Sequence, residues 1–535
     1  MNHLLSRRSL LVASSATALT AGLATATGAT AVAPDRSPGA PLRTNPFTLG
    51  IASGDPEPDG MVLWTRLALD PLAEDGLGGM PRRTVPVQWQ VATDPLMRRV
   101  VARGTELARP ESAHSVHVET HGLQPGREYF YRFKAGRHLS EVGRTRTTPA
   151  PWEMPAALAM AFASCSQFEH GYFTAYRRLA EDQPDVVLHL GDYIYEYTAD
   201  TYVIDGGNPR DHRGPETETL ANYRQRHAQY KADPDLQAAH AVAPWLVVWD
   251  DHEIDNNWAD EVYEKPHIPQ PNFLQRRAAA MQAYYENMPL RRRSMPQGID
   301  TLLHRRTQWG QLANLHMMDT RQYRDDQACG DGWKTNCTDR LDPARTLTGD
   351  AQEQWLLENF QRSTQRWDLL GQQVFFAERD GKVEPELEHH SMDGWDGYTG
   401  SRDRITQGWV QAGVRNPVVL TGDVHRHWAS DVLADFEGTG PEAEQVVGAE
   451  LVCSSITSTG DGDAAEVNET MAWNEHIQYY KNQRGYVRTT ITPEAMTADF
   501  RVLDHVTTPG AAARTDATFR IEDGQRGLQE IAPRA

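Results

Sequence analysis

The hydrophobic positions of this chain change their period once. Between about Pro41 and Thr148 they fall in short alternating runs, V-P-V-Q-W-Q-V at Val85–Val91 and others at Ser115–Glu119 and Tyr129–Phe133. Gly60–Trp64 is a further strand candidate, and Gln124-Pro125-Gly126 reads as a turn. Half-buried strands alternate in this way, and several at this spacing predict a small all-β sandwich over 41–148. A linker follows at Thr147–Pro151, and the pattern changes at about Ala157. Apolar runs at Leu158–Ala163, Asp185–Leu190, Trp245–Trp249, Leu312–Met318, Trp367–Phe376, Val418–Leu420 and Val446–Val452 now alternate with helical segments. The helices are placed at Tyr172–Asp182, Thr219–Ala232, Asn272–Asn287 and Ala351–Thr364. Asp350 is placed as N-cap of the last, with Glu353 completing a capping box. Such alternation predicts an α/β domain over 157–506, a two-sheet sandwich with helices outside. The stretch 507–535 is polar and poorly patterned and reads as a tail.

Composition narrows the compartment. With Asp+Glu 73 against Lys+Arg 53 in 535 residues, the net charge is -20. That balance repels nucleic acid and anionic membranes at long range, suits divalent cations and argues against a polyanionic macromolecular partner. Near the N-terminus Arg7-Arg8 precedes a weakly apolar, Ala- and Thr-rich stretch, and Ala31-Val32-Ala33 offers small residues to a signal peptidase. Residues 1–33 therefore read as a twin-arginine (Tat) signal, and the expectation is a secreted or periplasmic protein delivered by the Tat machinery. No later stretch has the roughly 20 apolar residues that a membrane span requires. Of the four cysteines, Cys329 and Cys337 sit across a short Gly/Asp/Asn loop and read as a disulfide, while Cys165 and Cys453 lie near strand ends.

The strand ends carry the chemistry. Leu158–Ala163 leads into Ser164-Cys165-Ser166, and Val186–Leu190 into Gly191-Asp192 with Tyr195 beyond. Leu246–Trp249 leads into Asp250-Asp251-His252-Glu253, and Val418–Leu420 into Gly422-Asp423-Val424-His425. Each motif alone is an ordinary turn. Four in succession, each after a buried strand, place thiolate, carboxylate, phenolate and imidazole at one edge of the sheet, where α/β sites form. That donor set suits hard cations and iron, and a Tyr beside a ligand carboxylate points to Fe(3+).

The whole arrangement resembles the PhoD-like alkaline phosphatase/phosphodiesterase family of metallophosphoesterases, which includes iron-dependent phospholipase D-type members. The residues that carry the resemblance are F-A-S-C-S-Q at Phe162–Gln167, G-D-Y-I-Y-E-Y at Gly191–Tyr197 and W-D-D-H-E at Trp249–Glu253. They continue with M-D-T-R-Q-Y-R at Met318–Arg324, Q-W-L at Gln354–Leu356 and G-D-V-H-R-H-W at Gly422–Trp428. The stretch Ile51–Arg66 resembles the family's N-terminal domain, a fibronectin III-like sandwich. The resemblance implies iron bound by Cys165, Asp192, Tyr195 and His425, with Asp192 bridging to a second metal held by Asp251 and Asp423. Asp at those last two positions, where relatives carry Asn and His, makes the second site oxygen-rich and suited to Ca(2+). Asp250 can substitute for Asp251 in this reading.

The implied reaction is hydrolysis of phosphomonoesters or phosphodiesters by metal-activated hydroxide, with Asp192, Asp251, His252 and Arg321 as catalytic residues. His252 either contacts phosphate or the leaving group or is a supporting hydrogen-bond partner. Arg321 either clamps phosphate or pairs with Asp319 or Asp325. Asn222 and Arg224, on a Tyr-rich helix, are candidate substrate contacts or a solvated face. Trp395, Asp396 and Tyr398 form a loop that lines a pocket or packs at the surface. Three alternatives stand beside this reading: action on phospholipid head groups, a covalent Ser or Cys mechanism needing a His beside Cys165 or Ser166, and a non-catalytic metal-binding or adhesion protein.

Overall fold

The runs that are apolar on both faces become the parallel centres of two sheets. In the computed structural model, which describes residues 42–381 and 387–532, the first sheet has ten strands. Its centre is Leu158–Ala163, Val186–Leu190, Pro244–Val248 and Ile51–Glu57, joined in parallel. The second sheet has eight strands, with Ala313–Met317, Trp367–Gly371, Pro417–Thr421 and Val446–Val452 as its parallel centre. Side chains of both sheets share one core, in which Leu188 and Leu190 meet Leu315, Leu369 and Leu420. Strands covered on both faces need no polar alternation, so they read as continuous apolar runs.

Helices flank the sandwich. Thr174–Glu181, Leu220–Lys231, Pro234–Val242 and Phe273–Asn287 contribute to the core of the first sheet. Asp350–Arg362 and Thr399–Ala412 build a separate core around Leu356, Phe360, Ile405 and Trp409 beside the second. Two of these helices, Pro234–Val242 and Thr399–Ala412, are not among the four expected from the sequence. Trp395 and Tyr398, expected to line a pocket or pack at the surface, are fully buried there, and Asp396 pairs with Arg402 at 2.7 Å. The expected capping box at Asp350 is absent. Gly349 is the cap, and Glu353 reaches Arg404 and Ser401 instead.

The N-terminal sandwich shares a sheet with the rest. Ile51–Glu57, Gly60–Arg66 and Ser115–Glu119 extend the ten-stranded sheet, and the smaller sheet of Val85–Ala92, Val100–Ala108, Glu128–Ala135, His138–Leu139 and Gly143–Arg146 covers them. Between the two lie Met61, Leu63, Val87, Val91, Val116, Val118, Tyr131 and Phe133. Residues Pro41–Ala535 accordingly form one compact unit. The Tat signal expected at 1–33 lies outside the described residues.

The expected tail is also part of that sheet. Ala513–Glu522 pairs antiparallel with Ala495–Leu503, and Gln529–Ala532 with Ala513–Glu522. Ala517, Phe519 and Ile521 are buried, and the Phe519 ring meets Phe500 and Tyr479 at centroid distances of 5.8 and 5.7 Å. Arg, Thr and Asp alternate with these apolar residues, which disguises the strand as polar. Phe519→Ala should therefore cost about 3–5 kcal/mol of stability, read as a shift in the denaturant midpoint. A dispensable tail would show no shift.

Candidate active site and metal centre

Three neighbouring strands of the first sheet and one of the second stop at the same place. Cys165, Asp192 and the Asp250-Asp251 pair follow Leu158–Ala163, Val186–Leu190 and Pro244–Val248, and Asp423 follows Pro417–Thr421 across the sandwich. The turns that aim these groups are forced. Cys165, Asp192, Asp423 and His425 have φ of 62°, 56°, 63° and 54°, in the left-handed region that non-glycine residues avoid. Such residues cost about 1–3 kcal/mol each and persist only where the surroundings impose them. Gly191 has φ 106° and lies against the Asp250 turn, where an added Cβ would stand 2.3 Å from the Asp250 Cβ. Glu253 ties the two turns together. Its carboxylate accepts from the backbone N–H of Asp192 at 3.1 Å, Tyr193 at 2.6 Å and Asp250 at 2.8 Å.

The donor atoms converge in three overlapping groups, each within 4.8 Å: Cys165 with Asp192 and His425, Asp192 with Asp251 and His252, and Asp250 with Asp251 and Asp423. Asp192 belongs to the first two and Asp251 to the last two. The Tyr195 hydroxyl donates to Asp192 Oδ2 at 2.7 Å and lies 3.2 Å from His425 Nε2, so it enters the first group. His425 Nδ1 meets Thr459 Oγ1 at 3.0 Å, which turns Nε2 toward the cluster. Buried oxygens without a hydrogen-bond partner remain on Asp192, Asp250 and Asp251, the last 3.6 Å from the Arg321 guanidinium. Since buried polar atoms in native proteins are almost always partnered, these orphaned oxygens fit coordination to cations.

The electrostatics agree. Burial, then the neighbouring Asp192 charge, pushes the Cys165 thiol up. Burial raises Asp192 and Asp250 as well, the neighbouring carboxylates adding to it, and burial with the Asp393 charge brings Asp423 to about 7. For Asp251 burial also pushes upward, but His252 and Arg321 outweigh it and hold the carboxyl below its usual range. These groups crowd more negative charge than Arg321 and His252 neutralise, and added cations would complete the balance.

The remaining expected site residues divide. His252 lines a cavity of about 730 Å³, stacks on the Tyr195 ring at 4.1 Å and contacts Glu196 through Nδ1 at 2.9 Å. Arg321 is fully buried and is not in the wall of the cavity that His252 lines. Its guanidinium is shared between Asp250 at 2.6 Å and Asp393 at 2.7 Å, with Asp251 at 3.6 Å, so carboxylates already occupy the fork that a phosphate would take. The expected pairing with Asp319 exists only through the Arg321 backbone N–H. Asn222 and Arg224 are not in the site. Asn222 completes the capping box of its helix with Thr219, and Arg224 pairs with Glu286 at 2.6 Å. Cys329 and Cys337 are joined, with S–S 2.08 Å.

Several participants lay beyond the motifs. Ser458 Oγ sits 2.7 Å from the Tyr195 hydroxyl and 3.0 Å from the Cys165 carbonyl oxygen, on a loop without any sequence signal. Glu196 was visible only as one letter of the G-D-Y-I-Y-E-Y run, and Asp393 not at all. Gly191→Ala should cut bound metal and activity at least about a hundredfold, because the new Cβ displaces Asp250 while the backbone resists φ 106°. Elemental analysis of the purified variant, showing full metal, would contradict that account.

Residues 160–500 match the family described as PhoD-like phosphatase, and residues 31–149 match the PhoD-like phosphatase N-terminal domain. Alkaline phosphatase D of Bacillus subtilis (strain 168) is 50% identical over 490 residues, which are 91% of this chain and 82% of that protein. A solved structure titled "Structure of PhoD" aligns at TM-score 0.89 and 49% identity, covering 93% of this chain and 94% of that one.

Proposed function

The chain belongs to the PhoD-like phosphatase family and is a phosphoesterase of the alkaline phosphatase D type, and from that premise we propose that it works with Fe(3+) and Ca(2+). The observation that carries the proposal is the overlap of the three donor groups through Asp192 and Asp251. Cys165, Asp192, Tyr195 and His425 would hold iron, since thiolate, imidazole and phenolate together suit it. Asp251 and Asp423 would hold calcium, since they offer oxygen alone, the donor chemistry that calcium takes, and Asp250, which shares their donor group, is the alternative to Asp251. When bound, such a pair activates water at neutral pH and clamps the entering and leaving oxygens of phosphoryl transfer.

The protein's part is orientation and proton supply. Arg321 holds Asp250 by one oxygen and leaves the other facing inward. Asn257 N–H fixes Asp251 Oδ2 at 2.7 Å in the same way. His252, gripped by Glu196 and stacked on Tyr195, presents its far edge to the cavity, where Nε2 can give a proton to the leaving alcohol. The half-identical alkaline phosphatase D favours this reading over a phospholipid head-group enzyme or a non-catalytic binder. No described helix is long and apolar enough to cross a membrane. Export by the Tat route is supported by the twin arginines and by a disulfide, which persists in oxidising compartments.

Two experiments test the assignment. The purified enzyme should show a visible phenolate-to-iron absorption that Tyr195→Phe shifts or removes. Chelating calcium should abolish turnover of an aryl phosphate while leaving that absorption, and an active, colourless, iron-free enzyme rejects the assignment. Separately, His252→Asn should slow hydrolysis of an alkyl phosphate by about 10²–10⁴-fold and that of a nitrophenyl ester far less, since the better leaving group needs no proton. Equal losses on both would remove His252 from the proton donor's place.

A further inference from the structure

The outer face of the small N-terminal sheet carries a charge opposite to that of the molecule. Its register sets Arg103 and Arg132 on either side of Gln90, and Lys134 beside Gln88. Alternation turns these residues outward, because Val87, Val91, Tyr131 and Phe133 of the same strands fill the sandwich core. Arg137, at the adjoining hairpin, completes a concavity of about 530 Å³ with no carboxylate in its wall. Arg103, Lys134 and Arg137 are exposed. Among the described residues none of the four cations has an ion-pair partner. Arg132 Nε donates to Gln90 Oε1 at 2.9 Å, and Arg137 donates to the Arg43 carbonyl oxygen at 2.9 Å, both neutral acceptors.

This is unusual in a chain with net charge -20. Carboxylates are plentiful, and Glu128 does pair with Arg144 elsewhere on the same sheet. Opposite-charge pairs across strands stabilise a sheet, and these four cations make none. We propose that this face is a docking site for a flexible, phosphate-bearing polymer, separate from the catalytic cavity.

The residue types and their layout select that partner. Three of the four cations are arginines, whose planar fork makes paired N–H bonds to phosphate oxygens. They are spread along the face instead of converging on a point, which suits successive charges on one chain better than a single ion. Single-stranded nucleic acid demands exposed rings for its bases. Of the two rings in the wall, Phe133 is fully buried, and Trp89, half-buried, packs on the sandwich core and lies across Gly104, where an added Cβ would stand 2.6 Å from the indole. The concavity and the catalytic cavity share no residue, so docking holds the enzyme on the polymer without touching its chemistry.

The probe is long-chain inorganic polyphosphate, titrated against the full enzyme in excess calcium and followed by fluorescence anisotropy. With four phosphate contacts, log K should fall against log salt with a slope of about -3, roughly a 50-fold loss between about 50 and about 200 mM salt. The combined variant Arg103→Gln, Arg132→Gln, Lys134→Gln and Arg137→Gln should bind at least about tenfold more weakly, yet turn over a small aryl phosphate within about twofold of the wild type. The single reversal Lys134→Glu should weaken binding in the same direction, which guards against misfolding of the combined variant. Equal binding by wild type and variants, binding insensitive to salt, or single-stranded DNA held as tightly as polyphosphate would each overturn the proposal. Retained aryl phosphatase activity in that case would leave the catalytic assignment standing.

Discussion

The structure turns on a crowd of acidic groups that would separate if they could. Asp192, Asp250, Asp251 and Asp423 bring donor atoms within 4.8 Å of one another in overlapping sets, the first three buried and Asp423 half-buried. Two like charges 4 Å apart repel by about 4 kcal/mol even at an effective dielectric constant of about 20. A fold that keeps them together must block every relaxation. The two sheets do so by ending four strands at one point. The turns do so by left-handed backbone at Cys165, Asp192, Asp423 and His425. Glu253 does so by binding the N–H groups of two turns at once, and Arg321 by joining Asp250 of the first sheet to Asp393 near the second. Remove the cations from such a site and the strain has no return; supply them, and the same strain becomes preorganisation.

This constraint also explains what could be read from the sequence. Strands buried on both faces are continuous apolar runs, so Leu158–Ala163 and Val446–Val452 were legible to the residue, and their polar successors stood out as chemistry. The residues that hold these groups in place were not legible, because they answer to space and not to period. Arg321 looked like a phosphate clamp since it follows a strand, but its surroundings were already acidic. Asn222 and Arg224 looked like site residues because their helix is rich in Tyr, but that helix presents them to a cap and to Glu286. Ser458 gave no sign at all, since it contacts Tyr195 from a loop 263 positions away in the chain.

The strands after Ala495 were missed for a related reason. Ala513–Glu522 mixes buried apolar with buried or half-buried polar side chains, and Asp516 Oδ2 accepts from the Tyr479 hydroxyl at 2.9 Å. A strand whose polar residues are satisfied inside the protein loses the contrast on which period-two reading depends. Burial by itself therefore misleads in both directions: it hides strands with partnered polar groups and exposes those without them.

The same bookkeeping of partners decides against a covalent mechanism. Ser166 is buried, and its hydroxyl contacts Tyr176, whose own hydroxyl meets His189 Nε2 at 2.8 Å. No histidine touches Ser166 directly. Cys165 is 1% exposed and absent from the cavity wall, with its thiol directed at Ser164 Oγ at 3.2 Å. His425 is its nearest imidazole cluster partner, but Nε2 of that ring is already at the Tyr195 hydroxyl. A nucleophile must reach the substrate and be activated, and neither side chain does either. A ligand need only be held in place, and the strand end, the left-handed turn and the Ser458 loop hold Cys165 in the way the proposed role requires.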